Sequence, residues 1–413
     1  MTRLLSVVII SLLAIFSTHA QTDSAEKWFV GADIYTAEGE VFPNGALGIK
    51  NGKIIYVGNQ QGVTINGETI NVSGKRIYPG LIALNSNLGL TEIEAVRATH
   101  DFKEVGKNNA HVRSAIAFNT DSRVMKTVLA NGILMAQVCP QGGLISGQSS
   151  VMRLQARNWE EALYVGDMAV HIHWPNFDKN SKQTKKAAKR RDNIINWLQQ
   201  AKSYGHEATK EKNLRYEALA KAIKGEKKVF VHANGAQTIL DAIHALKPFN
   251  ITPVIVGGNE SGKISKYLRE NKISVVVSRT HSLPNNRDDS YEEPYALPYV
   301  LWRDSVQFAI SDINFWEQRN LPFEAGQAVA FGLPYSEALK AITLYPAKIL
   351  GVENTLGSIK TGKDATFIVS KGDVLDMRSS IIEQAYINGK KVDLTNPQEE
   401  LYKKFKAIVL PEK

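Results

Sequence analysis

Hydrophobic positions change their spacing twice along the chain. From residue 27 to 78 they come in short runs that alternate with polar residues. One stretch, Gly48-Ile-Lys-Asn-Gly-Lys-Ile-Ile-Tyr-Val-Gly58, sets an Asn51-Gly52 pair between two such runs. Period-two alternation about Asn-Gly is a hairpin signal, because both residues of that pair accept the left-handed backbone of a tight turn. The same texture returns near the other end, in Phe367-Ile-Val, Ile381 to Ile387, Asn388-Gly389 and Lys390-Lys-Val. Between these ends, apolar runs of strand length are separated by helical stretches. The runs are 81–88, 133–139, 150–155, 168–174, 227–233, 252–257, 274–279 and 306–312. A polar helical insertion, about 180–225, separates the fourth from the fifth, and the Pro- and Tyr-rich stretch 291–302 reads as a lid loop before the eighth.

The first twenty residues follow a different rule. Arg3 supplies a positive start, Leu4 to Phe16 an apolar run of 13 residues, and Thr18-His19-Ala20 a small-residue cleavage site before Gln21. This is the composition of a secretory signal, and the run is short for a bilayer span. The mature protein is expected to be exported, to a periplasm or beyond, with no membrane partner. Cys139 is the one cysteine, which excludes an internal disulfide. It ends an apolar run with no histidine near it in sequence, so a small buried residue is expected there. The net charge of +9 falls to +8 without Arg3. Seven basic residues lie in Lys179 to Arg191, without interleaved aromatics, and read as a solvated helix face rather than a nucleic-acid patch.

Residues 79 to 90 read Pro-Gly-Leu-Ile-Ala-Leu-Asn-Ser-Asn-Leu-Gly-Leu. This frame resembles the first barrel strand of the amidohydrolase superfamily, in particular its imidazolonepropionase-like group. Leu356-Gly-Ser-Ile-Lys-Thr-Gly-Lys-Asp-Ala365 and the region from Ser311-Asp312 through Asn320-Leu-Pro-Phe-Glu-Ala-Gly326 extend the likeness over nearly all of the mature chain. The resemblance implies an α/β fold: a TIM-like (β/α)8 barrel over 80–351, with a small composite β-sandwich built from 21–79 and 352–413, after a signal at 1–20. A chain of 413 residues is long enough for both.

In that family the middle of the first strand reads His-x-His, and here Asn85 and Asn87 stand in its place. Residues i and i+2 of a strand share a face, so His-x-His aims two imidazoles at one metal. An amide oxygen is a poor substitute where zinc, nickel or iron is to be held. These are degenerate metal positions. By resemblance, His232 in Val229-Phe-Val-His-Ala-Asn matches the strand-five ligand. Asp312 in Phe308-Ala-Ile-Ser-Asp matches the strand-eight aspartate, which binds metal or takes a proton from attacking water. Their alternatives are a core histidine and a loop aspartate.

Other residues complicate the comparison. The strand-six end reads Val256-Gly257-Gly258-Asn259-Glu260, with no histidine. Glu260 is either a substrate contact, an oxygen ligand or an ordinary helix-start carboxylate. The fourth run ends in His171-Ile172-His173, an i, i+2 imidazole pair that could join His232 and Asp312 around a relocated zinc, or simply line a strand edge. The glycine-rich Pro140-Gln-Gly-Gly-Leu-Ile-Ser-Gly-Gln, with Gly143 and Ser146, could cradle a substrate carboxylate or form a tight connection.

Three functions follow as expectations. The first is a divalent-metal hydrolase of carbon–nitrogen bonds in cyclic amides or N-acyl compounds. The second is a catalytically inactive homologue without metal, serving as a binding protein or as partner subunit of an intact paralogue. The third is a metal-free hydrolase with Asp312 as general base. A small-molecule ligand is expected in each, with homo- or hetero-oligomers open.

Overall fold

A computed structural model describes residues 25–177, 181–205, 211–284, 287 and 289–409. The expected export signal lies outside the described residues, as does Lys179 at the start of the basic run. No described helix is long and apolar enough to cross a membrane.

Two eight-stranded sheets carry the fold. The first takes strands from both ends of the chain: β1 (Lys27–Tyr35), β2 (Val41–Lys50), β3 (Lys53–Asn59), β4 (Glu68–Asn71) and β5 (Arg76–Pro79). The return strands, numbered after the barrel, are β14 (Phe367–Ser370), β15 (Ile382–Ile387) and β16 (Lys390–Lys391). Asn51 and Gly52, at φ +51° and +76°, make the turn between β2 and β3 that their sequence signalled. β14 pairs antiparallel with β5, which is the seam between the two ends. Phe29, Phe367 and Tyr386 meet across that seam with ring centroids 4.9 to 5.0 Å apart, at the centre of a small apolar core.

The second sheet forms the nearly closed barrel. Its strands are β6 (Leu81–Ser86), β7 (Ile133–Val138), β8 (Ile145–Arg153), β9 (Leu163–His173), β10 (Lys228–Ala233), β11 (Val254–Gly257), β12 (Val275–Val277) and β13 (Phe308–Ile310). They lie side by side in chain order. One strand departs from the all-parallel arrangement of such barrels. β8 runs antiparallel to both β7 and β9, so a tight turn precedes it and a connection with one helical turn, Trp159–Ala162, follows it, where longer crossover helices are expected. The third strand therefore begins at Ile145, ahead of the apolar run at 150–155. Gly142 and Gly143, at φ +90° and +75°, make the first of these reversals.

The insertion after β9 forms two helices, Ser181–Tyr204 and Leu214–Ile223, which pack on each other. Residues 291–302, expected as a loop, instead contain most of the helix Glu293–Arg303. Pro294 sits in its first turn, where a missing N–H costs nothing, and Pro298 lies within it.

Candidate functional site at the barrel mouth

The site is built on the carboxyl ends of the parallel strands. β9 and β10 are parallel and pair His173 directly with His232, so the two rings point to the same side. Their centroids are 4.1 Å apart and nearly parallel. His171, two residues back on β9, shares that side and is fully buried. Its Nδ1 lies 3.0 Å from His232 Nε2, and its Nε2 lies 2.8 Å from Ser149 Oγ. Ser149 in turn accepts a 3.0 Å hydrogen bond from Gln137 Nε2, and Gln137 Oε1 accepts from the backbone N–H of Asn85 at 3.2 Å.

A continuous polar line thus crosses five neighbouring strands, from β6 through Gln137, Ser149 and His171 to His232 on β10. Where His171 meets His232 one nitrogen must donate and the other accept, so at least one of the two rings is neutral. Burial favours the same state. It pushes His171 down to about 3 and His173 to about 4, and it holds His232 well below the ordinary histidine range. Mutual repulsion among the rings adds to the effect on His171 and His232.

Asp312 lies just past β13, nearly fully buried, and belongs to a second cluster. Its Oδ1 accepts from Asn314 N–H at 3.0 Å, its backbone carbonyl accepts from Gln318, and its Oδ2 lies 3.8 Å from Arg279 Nε. Beside it is Glu324, fully buried on the helix Leu321–Ala330, where Oε2 accepts from Thr280 N–H at 3.2 Å. Desolvation, then the Asp312 charge, pushes Glu324 up to about 9, so it stays protonated at neutral pH and donates to Asp312. Asp312 is itself raised, chiefly by burial. Two close buried carboxyls cannot both ionise, and this pair keeps one proton.

The remaining candidates take varied places. Asn85 has φ +50°, which breaks the strand's alternation, so Asn85 and Asn87 do not form a simple i, i+2 pair on an extended backbone. Asparagine tolerates that left-handed geometry. Both amide oxygens are buried without a hydrogen-bond partner. Glu260 has both oxygens engaged: Oε2 accepts from Ala236 N–H at 2.9 Å, at the start of the helix Ala236–Leu246, and Oε1 meets Lys263 at 2.9 Å. Gly143 packs so tightly under Gly106 and Lys107 that a Cβ would lie 2.9 Å from a carbonyl oxygen. Ser146 is buried with its hydroxyl unpartnered. Neither Gly143 nor Ser146 forms a hydrogen bond with the imidazole line among the described residues. Burial pushes the Cys139 thiol far up, which keeps it protonated and inert.

Sequence reading missed Gln137, Ser149, Arg279 and Glu324. Two carried a usable signal: Gln137 is the lone polar residue in an apolar strand, and Glu324 the lone acid in an apolar helix.

These donors can be tested against a divalent metal. The two strand-one positions offer neutral amide oxygens in place of imidazoles. Two of the three imidazoles turn a nitrogen toward each other at hydrogen-bond distance, where a shared ion would hold them farther apart. The carboxylate that would complete the set is bonded to Glu324 and faces a guanidinium. No hydrogen bond or ion pair among the described residues links the imidazoles to Asp312. No group of three or more His, Cys, Asp or Glu among the described residues is arranged to hold an ion. This donor set does not fit a zinc-like ion.

Comparison with known proteins places the architecture. An amidohydrolase from Thermotoga maritima superposes with a TM-score of 0.78 at 26% identity, covering 89% of this chain and 99% of that one. A zinc-bound adenosine deaminase from Xanthomonas campestris gives a TM-score of 0.56 at 14% identity, covering 92% and 97%. A molinate hydrolase gives 0.55 at 14%, covering 90% and 95%. Those two likenesses speak for the fold alone. In sequence, the amidohydrolase tasK of Hapsidospora irregularis is 21% identical over 366 residues, 76% of this chain and 36% of that protein. The chain thus spans about a third of the length of this relative. The model of the amidohydrolase family matches residues 121–394, about two thirds of the sequence. This chain belongs to the amidohydrolase family.

Proposed function

We propose that this chain is a small-molecule binding member of its family that lacks the family's metal-assisted hydrolysis. One observation carries the reading: the nitrogens of His171 and His232 satisfy each other at 3.0 Å, inside a hydrogen-bonded line that starts at Asn85. A metal site keeps its lone pairs converging on one point and its ligands oriented by outer partners. Here one of those lone pairs is spent within the protein and the nitrogen facing it carries a proton. Where hydrolysis of a carbon–nitrogen bond accompanies the binding, a paralogous amidohydrolase with intact His-x-His supplies it, and this chain acts as that enzyme's partner subunit.

A second reading is favoured by the proton held between Asp312 and Glu324. An ionised carboxylate next to a protonated one can serve as base and acid without a metal. In this reading the chain is a metal-free hydrolase with Asp312 as its base.

Metal analysis of the purified full chain tests the first reading, together with turnover assays on imidazolone, hydantoin and acyl-amino-acid substrates. Substoichiometric metal and no turnover are expected. One zinc per chain, lost on His173→Ala or His232→Ala, would overturn it. Turnover that survives chelation but is abolished by Asp312→Asn would select the metal-free hydrolase.

A further inference from the structure

The helix Pro397–Val409 lies outside the barrel and leaves an apolar face open to solvent. Its start is fixed. Asn396 Oδ1 accepts from Glu399 N–H at 3.0 Å, and Gln398 Oε1 accepts from Thr127 Oγ1, on the helix Arg123–Leu129, at 2.8 Å. Beyond that first turn come Leu401, Tyr402, Phe405, Ile408 and Val409, each with 53% to 72% of its surface exposed. At 3.6 residues per turn these five positions fall within an arc of about 120°. Single exposed apolar residues are ordinary on a protein surface, but five on one helix face make a continuous stripe.

The charges around the stripe select what covers it. The same helical geometry puts Lys404 at one border of the arc and Lys406 at the other. Their ammonium groups lie 5.6 Å from the ring of Phe405 and 5.7 Å from the ring of Tyr402. The acids of the helix, Glu399 and Glu400, sit in its first turn and away from the arc, and Glu399 lies 3.9 Å from Lys403. A second copy of this helix, laid against the stripe in either direction, would set lysine against lysine at both borders, which like charge opposes. An anionic bilayer surface suits every part of the arrangement. Apolar side chains enter the boundary between headgroups and acyl chains, while bordering lysines extend their ammonium groups to the phosphates. The chain's net charge of +9 has the sign that draws the whole molecule to such a surface.

We propose that the helix Pro397–Val409 docks this protein on an anionic lipid surface, lying in the plane of the interface with its Leu401–Phe405–Ile408 stripe inserted. A helix lying in the interface needs no span, so the contact is compatible with the lack of a membrane-crossing helix among the described residues. It revises the expectation of no membrane partner, which rested on spans, and it is independent of the reading of the barrel mouth.

Vesicle co-sedimentation of the chain from Gln21 onward tests this, because the apolar run at 4–16 would enter a bilayer by itself. Vesicles of phosphatidylcholine are compared with vesicles of equal parts phosphatidylcholine and phosphatidylglycerol. The protein should bind the anionic vesicles, and should bind them less at high salt. Lys404→Gln with Lys406→Gln should weaken that binding on the order of tenfold, and Phe405→Ser with Ile408→Ser by at least as much. Thermal melts show that both variants are folded. Sedimentation velocity without lipid reads the rival occupant, a second copy. No binding to anionic vesicles, equal binding to neutral ones, or an affinity unchanged in either variant would overturn the proposal. So would a dimer in solution that Phe405→Ser with Ile408→Ser dissociates.

Discussion

Glu324→Gln should stabilise the protein at neutral and alkaline pH. Glu324 folds with its carboxyl raised from 4.5 to about 9, because burial and the Asp312 charge both oppose ionisation. Between those two values the unfolded chain has released the proton and the folded chain retains it. Stability therefore falls as pH rises, by about 1.4 kcal/mol for each pH unit. It is fully present below 4.5 and has stopped falling above about 9. At pH 7 the protein has crossed 2.5 of those units, which costs about 3 kcal/mol relative to pH 4.5.

Glutamine at this position reproduces the protonated acid without the titration. Its amide oxygen can accept from Thr280 N–H as Glu324 Oε2 does, and its amide N–H can donate to Asp312. Urea unfolding at half-unit steps from pH 5 to 9 reads the effect. The histidines and other shared groups cancel between the two proteins, so the difference between Glu324→Gln and wild type should grow in the variant's favour along the series and be plain at pH 8. Parallel curves, or a variant less stable than wild type at pH 8, would refute the idea that one proton is trapped between Asp312 and Glu324.

The imidazole line makes the opposite pH prediction. The folded values of His171, His173 and His232 all lie below the unfolded 6.5, so their contribution is present above 6.5 and is lost as pH falls toward 3. Proton NMR should find His171 and His173 neutral at pH 5, and a midpoint near 6.5 for either would contradict the burial argument. Ser149→Ala removes the hydroxyl between Gln137 and His171 and should destabilise the fold by about 1 to 3 kcal/mol, measured by urea unfolding, because two buried groups lose a partner. Gly326→Ala should be more damaging. A Cβ there would lie 2.1 Å from the Leu375 carbonyl oxygen, so a helix of the barrel wall and the segment after β14 must move apart. A Tm unchanged from wild type would refute that clash. Asn85→His with Asn87→His should not restore zinc binding, since Asn85 sits at φ +50° and the other ligands remain engaged. Equilibrium dialysis against zinc checks this, and one tightly bound ion per chain would count against it.

The pattern of apolar runs was enough to place most strands, because strand burial is written directly into local hydrophobicity. It misplaced β8, whose first half, Ile145-Ser-Gly-Gln-Ser, mixes polar and apolar residues yet is buried throughout. Those positions are inside because neighbouring strands and the loop at 108–113 cover them, through bridges such as Asn108 to Ile145 and Arg113 to Gln148. Local composition does not encode such long-range cover. For the same reason a Pro-rich stretch read as a loop became a helix, held by packing against the segments around Gly262 and Gly332.

By itself the sequence determined the architecture, the two terminal hairpins, the family, and the loss of both strand-one histidines. Each of these depends on residue identity at one place or on a short-range period. Only the tertiary structure decided what the surviving polar residues do. It turned His171 toward His232 and set Glu324 against Asp312. Protonation and pairing are properties of groups brought together from distant strands in a low-dielectric interior. They emerge only when the barrel closes.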